Sequence, residues 1–125
     1  MIFDWDKYRE LAEDLRQSKT EAARRTAISR IYYAVYHRAK IYLEREGFQY
    51  RQFESSHRQI WDEFKDKGRT FTAIGNTGDR LRTNRNKADY VAEIEDIDWL
   101  IERSFELAEN AFTYLKQIEK KTENK

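Results

Sequence analysis

The chain has 125 residues, a length that suits one domain able to bury a core without staples. It contains no Cys, which excludes disulfides and Cys-based zinc sites, and no Pro with only four Gly, which favours long helices joined by short connections. Its 24 basic and 23 acidic residues leave a net charge of +1, so bulk charge does not hold it on nucleic acid and only a local basic patch would serve.

Asp4 stands where an N-cap belongs, and Tyr8, Leu11, Ala12 and Leu15 recur at helical spacing, predicting a first helix over about residues 5–18. Ser18, Lys19 and Thr20 read as a turn, with Thr20 capping the next helix. That second helix, about 21–46, carries an apolar stripe of Ile28, Ile31, Tyr32, Val35, Ala39, Tyr42 and Leu43 and ends at Gly47. Residues 48–54 form a loop. Ser55 or Ser56 caps a third helix, about 57–67, whose buried side is Ile60, Trp61 and Phe64, and Gly68 closes it. Phe71, Ile74, Leu81 and Ala88 predict a fourth helix over about 70–87, kinked or frayed where Gly75 and Gly78 fall. Asp89, Tyr90 and Val91 read as a turn. The last helix, about 93–119, has Ile97, Leu100, Ile101, Ser104, Leu107, Ala108, Ala111, Leu115 and Ile118 along its stripe, and residues 120–125 form a polar, frayed tail.

No strand-like alternation and no internal repeat appear. The expected architecture is all-α: a single domain over residues 1–125, a bundle of about five helices, mostly antiparallel. The stripes are accounted for as core and need no cofactor. No apolar run of about 18 residues exists, so no membrane span is expected. The N-terminus is neither a signal nor a transit peptide, which makes a cytoplasmic protein the simplest expectation.

Several polar residues fall off the apolar stripes. At about 100° per residue, Arg30 and His37 lie opposite Ile28 on the second helix, with Tyr33, Ala27, Ala34 and Ile41 nearby. That composition suits a second packing surface, such as a dimer interface or a cleft. His37 reads most simply as a hydrogen-bonded surface histidine, and His57 as an N-terminal or capping residue of the third helix. No carboxylate stands at metal-ligand spacing from either, so no metal is expected. The strongest local feature is the run from position 79 to 90, where Arg80, Arg82, Arg85 and Lys87 place four cations with no acid between them. Guanidinium groups hold phosphates in bidentate fashion, and Asn84 and Asn86 add neutral donors. The bland alternative is a helix end whose cations meet the dipole, with Arg85 and Asp89 paired at i, i+4.

Two segments resemble one family. Ser29-Arg30-Ile31-Tyr32-Tyr33-Ala34-Val35-Tyr36-His37 is similar to the Ser-Arg-x-Tyr-Tyr-Ala-x-Phe-His stretch of HEPN-domain proteins. Arg85-Asn86-Lys87-Ala88-Asp89-Tyr90 resembles the Arg-x-x-Ala-Asp-Tyr element of the same branch, and His57 falls where that branch often has a His. The resemblance runs over nearly the whole chain. It implies a small helical bundle that forms a homodimer and belongs to a prokaryotic toxin–antitoxin pair or phage-defence system, often beside a minimal nucleotidyltransferase that serves as antitoxin. Active members of the family are metal-independent endoribonucleases built on Arg, a polar residue and then a His, the motifs of two subunits sharing one cleft.

Arg85 and Asn86 match the start of that motif, but the His would fall at or near position 90, which is Tyr, and no His follows His57. A Tyr with an unperturbed pKa of about 10 is a poor base for a 2′-hydroxyl. The favoured expectation is therefore a HEPN-like dimeric module that binds RNA, a nucleotide or a partner protein without cleaving. Phosphate contacts would fall to Arg80, Arg82, Arg85 and Lys87. The alternative is an active endoribonuclease toxin in which Arg85 and Asn86 hold the scissile phosphate while Tyr90 or His37 moves protons. A second alternative is a structural adaptor in which Arg30, Asp89 and Tyr90 form a buried network, with Tyr33 and His57 as further candidates for such a network or a dimer.

Overall fold

The computed structural model describes residues 1–123, and among them the chain forms five helices and no strand: α1 (Asp6–Arg16), α2 (Glu21–Arg45), α3 (Ser56–Lys65), α4 (Arg69–Tyr90) and α5 (Ile97–Glu123). The all-α bundle expected from the apolar periodicity is the fold observed.

Helix α2 is the axis of the bundle. It packs against each of the other four helices, and Ala27, Ile28, Ile31, Tyr32, Ala34, Val35, Tyr36 and Ala39 are all buried. Those residues run round the helix rather than along one stripe. The second packing surface read on α2 is therefore real, and α1 fills it: Trp5 stacks on His37, and the Arg30 guanidinium lies 4.7 Å from the Tyr8 ring.

Cross-helix contacts give the directions. Trp5 against His37 and Arg24 donating to the Arg16 carbonyl make α1 antiparallel to α2. Ser29 with Asp89, and Tyr42 against Phe71, make α4 antiparallel to α2. Arg24 with Asp98, Arg38 with Glu119 and Tyr42 with Thr122 make α5 parallel to α2. The antiparallel pairs are neighbours through short turns or pack across the bundle; α5 runs parallel because three connections separate it from α2.

Local chemistry explains most boundaries. Asp4 accepts from the Asp6 amide at 3.0 Å, and Thr20 Oγ1 accepts from the Ala23 amide at 3.3 Å, so both caps act as expected. Asp96 caps α5 by accepting from the Trp99 amide at 2.9 Å, which moves the start of that helix from about 93 to Ile97. Neither serine caps α3 through its side chain. Ser55 Oγ accepts from Arg82 and Ser56 Oγ pairs with the Tyr36 hydroxyl, so tertiary partners have taken both.

Three expectations are corrected. Asp89 and Tyr90 are not a turn but the last residues of α4, whose end is held by Arg25 donating to the carbonyls of Ala88 (3.1 Å) and Ala92 (2.9 Å). Residues 120–123 continue α5 rather than fraying, with Thr122 bonded to Tyr42; the rest of the expected tail, residues 124 and 125, lies outside the described residues. And α4 is a single unbroken helix through Gly75 and Gly78. Both glycines are buried against α3: a Cβ on Gly78 would stand 2.3 Å from Trp61 Cδ2, and one on Gly75 would stand 2.6 Å from the Trp61 carbonyl oxygen. They are there for close approach, not for a break.

Gly78→Ala gains about 1 kcal/mol of helix propensity but forces the Trp61 indole out of its seat, and overpacking of this kind costs roughly 1–3 kcal/mol. We expect net destabilisation read as a lower urea midpoint, while Ala at the exposed Asn76, on the same helix, leaves the midpoint unchanged or raises it.

Candidate functional site

Arg82, Arg85, Asn86 and Asp89 recur at i, i+3, i+4 and i+7 along α4, so they share one face. Antiparallel α2 brings Ser29, Tyr33 and Tyr36 along that face, and the start of α3 adds Ser55, Ser56 and His57.

Arg85 is the centre of this face. Its side chain is 14% exposed; Nε donates to Asp89 Oδ2 at 2.9 Å and Nη1 donates to Asn86 Oδ1 at 2.8 Å. The guanidinium also lies 5.1 Å from the Tyr33 ring and 5.6 Å from the Tyr90 ring, within cation–π range. Asp89 Oδ2 accepts a second bond, from Ser29 Oγ at 3.2 Å, and Arg30 donates to the same Ser29 oxygen at 3.1 Å. Arg30 is itself held between the rings of Tyr8 and Tyr33. Arg30 and Asp89 are thus linked within one chain through Ser29, whereas Tyr90, expected in a buried network with them, is 76% exposed.

His57 joins the face through a relay. The Trp61 indole N–H can only donate, and it donates to the Tyr32 hydroxyl at 3.1 Å. The same hydroxyl meets His57 Nδ1, 2.6 Å away; with one proton and a second lone pair left, it can donate to that nitrogen or accept from it. Burial and then the neighbouring cations Arg82 and Arg85, with His37 and Lys40, lower the His57 pKa to about 4. Burial likewise pushes the Tyr32 hydroxyl well above the usual phenol range. His57, in the first turn of α3, is thus tied by its side chain to a buried Tyr and Trp.

His37 is elsewhere. The Trp5 ring lies flat on it at 3.4 Å between centroids, and burial together with Lys40 and Arg30 lowers its pKa to about 4. Tyr33 has both neighbours, with its ring 6.2 Å from His37 and 5.1 Å from the Arg85 guanidinium. His37 makes no hydrogen bond to Arg85 among the described residues, and this chain does not bring the two together as a catalytic pair. Tyr90 has its ring 5.6 Å from the Arg85 guanidinium and is 76% exposed.

The four cations of the basic segment do not act as one patch. At about 100° per residue, Arg82 and Arg85 point one way while Arg80 and Lys87 point to the far side of α4. Arg80 is exposed, and Lys87 lines a separate cleft of about 360 Å³ with Val91, Glu93, Ile94, Glu95, Asp96, Trp99 and Leu100. Asn84, read as a free donor, is buried and donates to Ser104 at 3.2 Å across the α4–α5 contact. Three residues that matter to the face are absent from the sequence-based site: Tyr32, Tyr36 and Ser29. Tyr32 was assigned to the core by its place on the stripe, and nothing in spacing shows that its hydroxyl ends on His57.

Among the described residues no three His, Asp or Glu side chains form a group that would hold a metal, and no helix is long and apolar enough to cross a membrane. No family model, curated protein or solved structure matches the chain.

The two imidazoles carry a pH dependence. The unfolded chain takes up their protons near pH 6.5, whereas the folded chain resists doing so until about pH 4. The unfolded state therefore binds more protons between those values. We expect stability to be flat above pH 6.5 from this source and to fall as pH drops from 6.5 to 4, and His57→Gln to flatten part of that slope in melting curves taken across the range.

Proposed function

We propose that the protein is a HEPN-like dimeric module of a prokaryotic toxin–antitoxin or phage-defence system that binds RNA through its phosphates and has no general base of its own. The observation that carries this reading is the meeting of Arg82, Arg85 and His57 on one face, with Asp89 as the acid there. These are donors suited to phosphate oxygens. Arg85 spends Nε on Asp89 and one Nη1 proton on Asn86, and the rest of its five donors have no partner among the described residues. Tyr33 adds an aromatic wall beside the Arg85 guanidinium, while buried Tyr36 stacks on the His57 ring.

The same geometry disfavours cleavage by the single chain. His37 lies under Trp5. Tyr90, in the place of the family His, has an exposed hydroxyl. The endoribonuclease alternative needs groups from a second subunit or a moved proton.

Labelled RNA titrated at low salt is expected to bind the dimer. Arg85→Ala is expected to weaken binding about ten-fold and to reduce the salt slope by about one. No cleavage is expected with chelator present. Cleavage by the parent that Arg85→Ala abolishes would instead establish the nuclease, and absence of binding would sink the proposal.

The paired Asp89–Ser29–Arg30 network favours a second reading, a structural adaptor. Asp89→Asn separates the two. If Arg85 serves phosphate, loss of its competitor tightens RNA binding several-fold. If the network serves only the fold, the substitution lowers stability by about 1–3 kcal/mol and leaves RNA affinity unmoved.

A further inference from the structure

Phe53 is an outlier in two respects. It is the non-glycine residue with positive φ among those described, at +66°, and its ring is fully exposed at 102%. A bulky residue in the left-handed region costs conformational energy that persists only where the surroundings enforce it, and an exposed Phe forgoes the burial that normally accounts for its presence.

The surroundings do enforce it. Gln59, 2% exposed, reaches from α3 into the preceding loop. Its Oε1 accepts from the Arg51 amide at 2.7 Å, and its Nε2 donates to the carbonyls of Arg51 (3.1 Å) and Glu54 (3.0 Å). A buried amide thus braces both ends of residues 51–54 and leaves Phe53 at the tip. The loop presents that ring to solvent.

The ring borders a cleft of about 440 Å³ whose other walls are Arg51, Glu54, Ser55, Arg58 and Asp62, within the roughly 300–1,000 Å³ usual for ligand clefts. Ser55 ties this cleft to the phosphate-binding face, since Arg82 donates to its Oγ at 3.4 Å. One flat aromatic surface alone among charged and hydroxyl groups does not resemble the centre of a protein–protein contact, which gathers several apolar side chains. It does match the way single strands are held, with a base stacked on an aromatic ring and its phosphates on nearby Arg.

We infer that Phe53 is a stacking platform for an unpaired nucleobase, so that the ligand of the Arg82–Arg85 face is single-stranded RNA rather than duplex. This rests on the RNA-binding reading above. Duplex RNA keeps its bases stacked on one another and offers no free face to the ring.

The test compares a fluorescent single-stranded RNA with the duplex of the same sequence, by anisotropy, against the parent, Phe53→Ala, Phe53→Gly, Phe53→Trp and Arg85→Ala. Phe53→Ala is expected to weaken single-strand binding about 5- to 100-fold and to leave duplex binding and the salt slope unchanged. Phe53→Trp restores single-strand binding. Phe53→Gly loses binding while holding or raising the melting temperature, because glycine accepts the positive φ; this separates the role of the ring from folding. If the parent and Phe53→Ala bind single strands equally while Arg85→Ala is impaired, the platform is wrong and RNA binding stands. If Phe53→Ala changes only the sedimentation of the dimer, the ring is a protein contact and the inference is overturned. If the parent binds neither RNA, the binding reading fails and takes the platform with it.

Discussion

The Trp61 indole rests on the bare backbone of Gly78 and donates its N–H to Tyr32 at 3.1 Å, and the arrangement of α2, α3 and α4 depends on that seat. A side chain at Gly78 would occupy the space of the ring. Removing the ring would take from the Tyr32 hydroxyl one of its two partners and loosen α3 from both neighbours. Because the Tyr32 hydroxyl also meets His57 Nδ1 at 2.6 Å, the packing contact reaches the imidazole that lies beside Arg82 and Arg85. Core and site are thus one hydrogen-bonded unit rather than a scaffold with a site placed on it.

The charges of α4 are divided by helical geometry. Arg82 and Arg85 lean toward α2 and α3, where Tyr33, Asp89 and Ser55 receive them. Lys87 faces the α4–α5 connection, a region of acidic and apolar side chains, and Arg80 stays exposed. A chain of almost zero net charge keeps a cationic face in this way, because the balancing acids are spent elsewhere: Glu109 on Arg9, Asp98 on Arg24, Glu119 on Arg38. These pairs join α1 and α2 to α5. They are exposed or half-exposed and contribute little each to stability, but they leave Arg82 without an ion-pair partner among the described residues.

Much of the site's architecture was open to reading in the sequence. Arg85 and Asp89 stand four apart on a helix and do pair, and Thr20 and Asp4 cap as their types dictate. The misreadings have a common cause. Gly75 and Gly78 read as weakness in a helix because propensity counts what glycine lacks and not what the missing side chain makes room for. Asn84 reads as a donor to a ligand because spacing along α4 does not reveal that Ser104 of α5 waits opposite it. Asp89 and Tyr90 read as a turn because the support for that last helical turn comes from Arg25, more than sixty residues earlier.

The sequence by itself determined that this protein is all helical and where its apolar surfaces lie, because those properties follow from periods of three and four residues within one helix. It also singled out Arg85, Asn86 and Asp89 as a unit, since their spacing is local. The tertiary structure decided which of the cations act together, that His57 is tied to Tyr32, and that His37 lies under Trp5 and makes no hydrogen bond to Arg85. Each of those depends on contacts between helices distant in the chain, and such contacts are set by the meeting of side-chain shapes, which no single segment contains.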